Sequence, residues 1–150
     1  MSLRKSPFLL LVVLLLATGC APRLYVQQSS SPFPETMVSL QASIAQNGYT
    51  LSRVQRVDYG LNKRGFETDK YRVVFFGKPE EISQLSKTFP ELVPFLPLKI
   101  TLIQKDEGVE MVAINPARLK RLYPEPELQP VFERWQQDIQ KILSEASVNL

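Results

Sequence analysis

The chain has 150 residues, of which 44% are hydrophobic and 22% charged, and these values fit one globular domain of ordinary size. The net charge is +3, but Arg4 and Lys5 supply two of the 18 basic residues, so the other 16 nearly balance the 15 acidic ones. The chain has no histidine and one cysteine, which excludes Ser-His-Asp and Cys-His catalytic sets, histidine-ligated metals, cysteine-rich zinc sites and internal disulfides. Because basic residues are interleaved with acidic ones, we expect no nucleic-acid partner, and we expect no cofactor.

The first nineteen residues have the organisation of a secretory signal peptide. A short basic segment precedes an apolar run at residues 8–17, and small residues then lead to Cys20. The apolar run has ten residues, whereas a membrane-spanning helix needs roughly 20. We therefore predict a signal peptide over residues 1–19. An uncleaved anchor and a plain secretory signal with an unrelated cysteine are the alternatives.

The residues before Cys20 resemble the lipobox of bacterial lipoproteins, although Ala17 stands where leucine is more usual. The resemblance implies that the signal is removed, that Cys20 is acylated and that it becomes the first residue of the mature protein. Several acyl chains anchor a protein stably, at ~0.8 kcal/mol per buried CH₂ group. Because the next residue is Ala21 rather than aspartate, the sorting pattern implies an outer-membrane lipoprotein that faces the periplasm.

The segment after the cysteine is polar and rich in serine, glutamine and proline, which is typical of a flexible segment. We predict that residues 20–35 contain the lipidated cysteine and a tether that holds the domain off the bilayer. The domain itself is then expected over residues 36–150. An ordered first strand at residues 24–26 is the alternative.

The first half of the domain alternates between helical and strand patterns. Apolar side chains at helical spacing predict a helix over residues 36–48. Residues 49–58 alternate as a strand until Val54, which indicates a bulge. One or two helical turns are expected over residues 59–65. Residues 70–77 form the most apolar strand, and its two apolar faces are typical of a central strand.

The second half begins with a helix that opens at Pro79 and continues into a proline-rich segment, residues 90–97, that we expect to be irregular. Alternating strands on both sides of Gly108 predict a hairpin. A short helix from Pro116 and a long amphipathic helix over residues 128–146 complete the chain. The sequence therefore predicts an α+β fold, with an approximately four-stranded, largely antiparallel sheet packed by helices and a C-terminal amphipathic helix.

Five landmarks follow one another along residues 37–123: Gly48-Tyr49, the VVFFGKP segment at residues 73–79, the Leu-Pro-Leu-Lys segment at residues 96–99, Gly108 and Asn115-Pro116. In these landmarks the chain resembles the family catalogued as domain of unknown function 302. Lys78 stands where asparagine is common, and Asp58-Tyr59 where members often carry a pair such as His-Ala. Chemistry that depends on that histidine is therefore excluded here. The resemblance implies an α+β fold and says little about function.

Three side chains are candidates for ligand binding, and each has an alternative. Phe76 either lines an apolar pocket or packs in the core. Asn115 either presents its amide to a ligand or caps a turn. Lys99 begins a strand between apolar residues, so its side chain points either outward or into a cleft. The sequence shows no paired carboxylates and no phosphate-binding glycine loop, and we predict neither catalytic residues nor metal ligands.

These features predict an envelope lipoprotein attached to membrane lipid through Cys20. We expect its domain to be non-catalytic and to bind a small ligand or a partner protein of the envelope. A structural or assembly role in an envelope complex, including self-association, is the alternative. An enzyme that uses carboxylate, lysine or tyrosine chemistry without histidine is a further one.

Overall fold

The computed structural model describes residues 22–148, so the predictions for Cys20 and the signal peptide lie outside the described residues. The strands in this range are β1 (Leu24–Ser29), β2 (Thr50–Arg56), β3 (Tyr71–Gly77), β4 (Leu98–Lys105) and β5 (Gly108–Ile114). The α-helices are α1 (Phe33–Gln46), α2 (Val57–Asn62), α3 (Pro79–Thr88) and α4 (Gln129–Ser147), and 3₁₀ helices occupy Pro90–Phe95 and Pro116–Arg121. The strands form one sheet in the order β1-β5-β4-β3-β2, with every neighbouring pair antiparallel. The predicted α+β class, antiparallel sheet and long C-terminal helix are confirmed.

Strand β1 lies within the segment that the composition predicted to be a flexible tether. It pairs with β5 along its whole length, from Leu24 opposite Ile114 to Ser29 opposite Val109. Helix α1 then begins at Phe33. The tether prediction is therefore wrong for residues 24–35, and the sheet has five strands rather than four. The physical reason is that β1 is held by a ladder to a strand far along the chain, which local composition does not reveal.

Helices α1 and α4 pack on one face of the sheet and make the core there. The alternation in the β4–β5 hairpin directs one set of side chains towards the helices, and all of them are buried: Leu98, Ile100, Leu102, Val109, Met111 and Ala113. The side chains on the opposite face of the five strands are half-buried or exposed. Strand β3 is internal, as predicted, but only its Val74 and Phe76 side chains are buried, because helices cover a single face.

Helix α4 supplies the largest side chains of the core. Phe132, Trp135, Ile139 and Ile142 recur at intervals of three or four residues, and each is at most 2% exposed. Burial of one such side chain contributes about 1.5–3 kcal/mol. The helix predicted from this stripe is confirmed to within one residue at each end.

Two local expectations need correction. The sequence predicts an irregular segment over residues 90–97, but Pro90–Phe95 form a 3₁₀ helix. Proline is compatible with the first turn of a helix, because the backbone N–H that it lacks has no partner there. The first helix was expected to begin at Thr36, but α1 begins at Phe33 and includes Pro34 in its first turn. Thr36 therefore lies inside the helix, and its hydroxyl is 3.0 Å from Ser29 Oγ. The predicted bulge in β2 is confirmed, between Leu51 and Arg53.

Candidate functional site

An apolar cleft opens at the end of the sheet where β4 begins and β5 ends. Its cavity volume is about 30 Å³. Whole ligand pockets commonly have about 300–1,000 Å³, so this cleft can enclose only one end of a small ligand. We call it the Lys99 cleft, and its lining residues are Phe95, Leu98, Lys99, Ile114, Pro116, Leu119 and Ile139. Lys99 is the one charged residue among them.

The two 3₁₀ helices build the Lys99 cleft by closing the end of the sheet. The first, Pro90–Phe95, ends with Phe95 just before β4, and the second, Pro116–Arg121, starts directly after β5. Proline at the start of each helix favours the turn out of or into the neighbouring strand, since its φ is already that of a helix. The cleft is therefore a product of chain reversals at one end of the sheet.

Lys99 lines the cleft, and the alternation along β4 directs its side chain to the uncovered face of the sheet, so the residue combines the two positions that the sequence left open. Its backbone pairs with Phe75 of β3, and its side chain is half-buried. Among the described residues it makes neither a salt bridge nor a hydrogen bond through its ammonium group. An ammonium group carries three donors, so Lys99 can receive a negatively charged group from outside the protein.

Asn115 caps the second 3₁₀ helix, which is the alternative considered for it. The side chain is fully buried, and its Oδ1 accepts a hydrogen bond from the Ala117 backbone N–H at 2.9 Å. Its Nδ2 donates to the Pro22 carbonyl at 2.8 Å, and its backbone N–H donates to the Arg23 carbonyl at 3.0 Å. The amide is thus engaged within the protein, where it joins the beginning of β1 to the end of β5.

Phe76 is a core residue in this structure. It is fully buried, and its ring meets the Tyr49 ring edge to face with 5.4 Å between the centroids. It does not line the Lys99 cleft. Of the three side chains predicted as ligand contacts, the structure therefore brings only Lys99 to a cleft.

A polar cluster that the sequence reasoning missed joins α3, α4 and the start of β2. The Tyr49 hydroxyl donates to Asp138 at 2.5 Å, and Trp135 Nε1 donates to Glu81 at 2.8 Å. Arg134 forms an ion pair with the same Glu81 carboxylate. Burial and the Asp138 carboxylate raise the pKa of Tyr49, so the phenol keeps its proton and remains a donor.

This cluster stabilises helix packing. Arg134 and Asp138 are four residues apart on α4 and flank its buried stripe, a spacing that places them on neighbouring positions of one helix face. That spacing was visible in the sequence, but it does not reveal that the partners lie on α3 and beside β2. The role of the cluster is to fix α3 and α4 relative to the sheet.

A family model described as "Domain of unknown function DUF302" matches residues 25–146. The chain belongs to the DUF302 family. The resemblance seen in the sequence over residues 37–123 therefore extends over β1 and nearly all of α4. No curated protein matches this sequence significantly.

A solved structure is similar to this DUF302 domain, the crystal structure of an uncharacterized conserved protein DUF302 from Bacillus stearothermophilus. The two chains are 19% identical, with a TM-score of 0.75, and the match covers 84% of this chain and 99% of that one. At this identity the likeness shows the fold alone.

Asp58-Tyr59 occupies the position at which the sequence resemblance implies a pair such as His-Ala, and Asp58 has a structural role there. Its carboxylate is buried and forms an ion pair with Arg72 of β3. The hydrogen bond from Arg72 holds the pKa of Asp58 below its usual value, so the carboxylate stays charged. This ion pair lies at the opposite end of β3 from the Lys99 cleft, and each of its two charged groups has the other as its partner.

Two further observations concern metals and membranes in the DUF302 domain. Residues 22–148 contain no cluster of three or more acidic side chains that could hold a metal ion. None of the helices in this range is both long enough and apolar enough to cross a bilayer.

Proposed function

We propose that this protein is an outer-membrane lipoprotein, anchored by acylated Cys20 and facing the periplasm, whose DUF302 domain binds one end of a small ligand at the Lys99 cleft. The ligand class is an apolar molecule with one negatively charged group. The observation that carries the proposal is that Lys99, whose ammonium group has no salt-bridge partner among residues 22–148, lines an otherwise apolar cleft. The domain acts as a binding module rather than as a catalyst.

The physical chemistry of the cleft supports this ligand class. Contact between an apolar ligand and apolar lining residues such as Leu119 and Ile139 is favourable, because it removes apolar surface from water. The same lining lowers the local dielectric constant, which strengthens a hydrogen bond between Lys99 and an anionic group. Apolar contact then provides affinity, and the single charge selects acids over neutral molecules of the same shape.

We expect octanoate to bind the domain and the Lys99→Gln variant to bind it about tenfold more weakly, because a hydrogen bond to a charged group contributes roughly 1.5–3 kcal/mol. The measurement is an NMR titration of a form that begins at Pro22, following the methyl groups of Ile114 and Ile139. Lys105→Gln, at the other end of β4, is the matched control and should bind octanoate as the wild type does.

Octan-1-ol separates charge recognition from apolar contact in the same titration. It should bind wild type and Lys99→Gln equally and more weakly than octanoate binds wild type. If octanoate shows no preference over octan-1-ol, or if Lys99→Gln binds octanoate unchanged, the proposed ligand class is wrong.

The lipid anchor has its own test. Cys20→Ser should abolish incorporation of labelled palmitate into the full chain, because the serine hydroxyl cannot form the thioether to the lipid. The wild type should label and sediment with outer-membrane fractions on a density gradient. A Cys20→Ser protein that still labels and sediments with membranes contradicts the anchor.

A further inference from the structure

The uncovered face of the sheet carries an exposed apolar patch at its β1 edge. Leu24 is 48% exposed, Val26 54% and Ile114 43%. Leu24 pairs with Ile114 across the β1–β5 ladder, and Val26 follows two residues later on the same face of β1. These three side chains are therefore contiguous, and we call them the β1 patch.

The β1 patch is confined to the end of the strands at which the chain enters the domain. Further along the same face, the opposed pair is Gln28 and Glu110, and the Gln28 amide donates to the Glu110 carboxylate at 2.9 Å. The surface thus changes from apolar to polar within two residues along β1. An apolar surface at one end only indicates a partner located at that end.

The chain leading to Cys20 leaves the domain beside the β1 patch. Pro22 is held at this end by its hydrogen bond from Asn115, and Arg23 is exposed next to Leu24. Leu24 is the fourth residue after Cys20, and a fully extended chain over that distance spans about 14 Å. A bilayer that contains the acyl chains of Cys20 is therefore within reach of the patch.

We propose that the β1 patch docks onto the anionic phospholipid bilayer in which Cys20 is anchored, an inference that rests on the proposed lipid anchor. The patch inserts aliphatic side chains among the headgroups, while Arg23 contacts their negative charges. The domain then lies on the membrane by one corner of its sheet. Because Ile114 belongs to both the patch and the Lys99 cleft, docking brings the mouth of the cleft to the lipid interface.

The test uses the full lipidated protein with an environment-sensitive NBD label on an introduced cysteine. Val26→Cys places the label in the patch, and Leu24→Cys is a second patch position. Phe66→Cys is the matched control, because Phe66 is an exposed apolar residue, 64% accessible, in the connection at the opposite end of the sheet. The native thiol at Cys20 is consumed by the lipid, so each variant carries one reactive thiol. Circular dichroism confirms that each variant is folded.

Each labelled protein is reconstituted into vesicles of phosphatidylethanolamine and phosphatidylglycerol that contain doxyl-labelled lipid. We expect both patch labels to be quenched roughly twofold or more relative to the Phe66 label, since interfacial side chains enter the headgroup region. Equal quenching at all three positions overturns the docking proposal. Efficient disulfide-linked dimers of the Val26→Cys protein before labelling also overturn it, because they identify a second copy of the chain as the occupant.

Palmitate incorporation into the same proteins separates the two proposals. If the protein incorporates palmitate but the labels in the β1 patch are not quenched, the anchor proposal stands and the docking proposal is wrong. Absence of palmitate from the wild type overturns the anchor and, with it, the docking that rests on it.

Discussion

Replacing Trp135 with alanine should lower the free energy of unfolding by about 3–5 kcal/mol. Trp135 is 1% exposed, and its ring packs against Phe132 with 5.7 Å between centroids. The substitution leaves a cavity between α4 and the sheet and removes the hydrogen-bond donor to Glu81. The measurement is urea unfolding followed by far-ultraviolet circular dichroism, because Trp135 is the one tryptophan in the chain and the variant lacks its fluorescence.

Trp135→Phe is the matched control for this experiment. It retains much of the ring packing but loses the Nε1–H that donates to Glu81, so we expect a loss of about 1–2 kcal/mol. The difference between the two variants then measures the packing contribution of the side chain. If alanine lowers stability no more than phenylalanine does, Trp135 is not the central packing residue of α4.

Gly108→Ala should lower the free energy of unfolding by roughly 3 kcal/mol or more, since it combines backbone strain with a steric clash. Gly108 begins β5 with φ at +111°, and an added Cβ would lie 2.1 Å from the Ser29 carbonyl oxygen. That oxygen belongs to the backbone of β1, which cannot move aside without weakening its ladder with β5. Trp135 fluorescence during urea unfolding measures the effect.

Gly48→Ala separates strain from clash. Gly48 also has a positive φ, +77°, but an added Cβ there would meet no heavy atom within 4 Å. We therefore expect a loss of about 1 kcal/mol. Hydrogen exchange adds a local readout, because Gly108→Ala should accelerate exchange of the β1 amides and Gly48→Ala should not. Equal effects of the two substitutions on stability and exchange would show that β1 does not pack closely against this turn.

Elements with strong local patterns were predictable from the sequence. An apolar residue stands at every second position on both sides of Gly108 in the β4–β5 hairpin, and α4 has an uninterrupted apolar stripe. In both cases the periodicity of side chains within a short segment determines which face is buried. These segments therefore carry most of the information that specifies their own structure.

Elements that depend on distant partners were not predictable in this way. Strand β1 lies in a segment rich in serine, glutamine and proline, and its order comes from pairing with β5. The Asn115 amide has as one partner a carbonyl 93 residues earlier, at Pro22. The bonds from Tyr49 to Asp138 and from Trp135 to Glu81 likewise connect segments whose juxtaposition only the fold creates.

The candidate site shows the same division. The pattern around Lys99 predicted a strand start with a lysine directed outward or into a cleft, but it could not distinguish the two. The cleft beside Lys99 exists because two 3₁₀ helices close the sheet end, and their lining residues Phe95 and Leu119 lie on either side of the β4–β5 hairpin in the chain. The charge was visible in the sequence, whereas the apolar walls around it were not.

The pairing of β1 with β5 also determines how the domain bears mechanical load. A pull on the chain ahead of Pro22 acts along β1, whose six residues are all paired with β5. A force in that direction shears the whole ladder at once, so the hydrogen bonds share the tension instead of opening one after another. The pairing of β1 with β5 therefore resists a pulling force on the N-terminal segment. Such a force moves the whole domain before it separates β1 from the sheet.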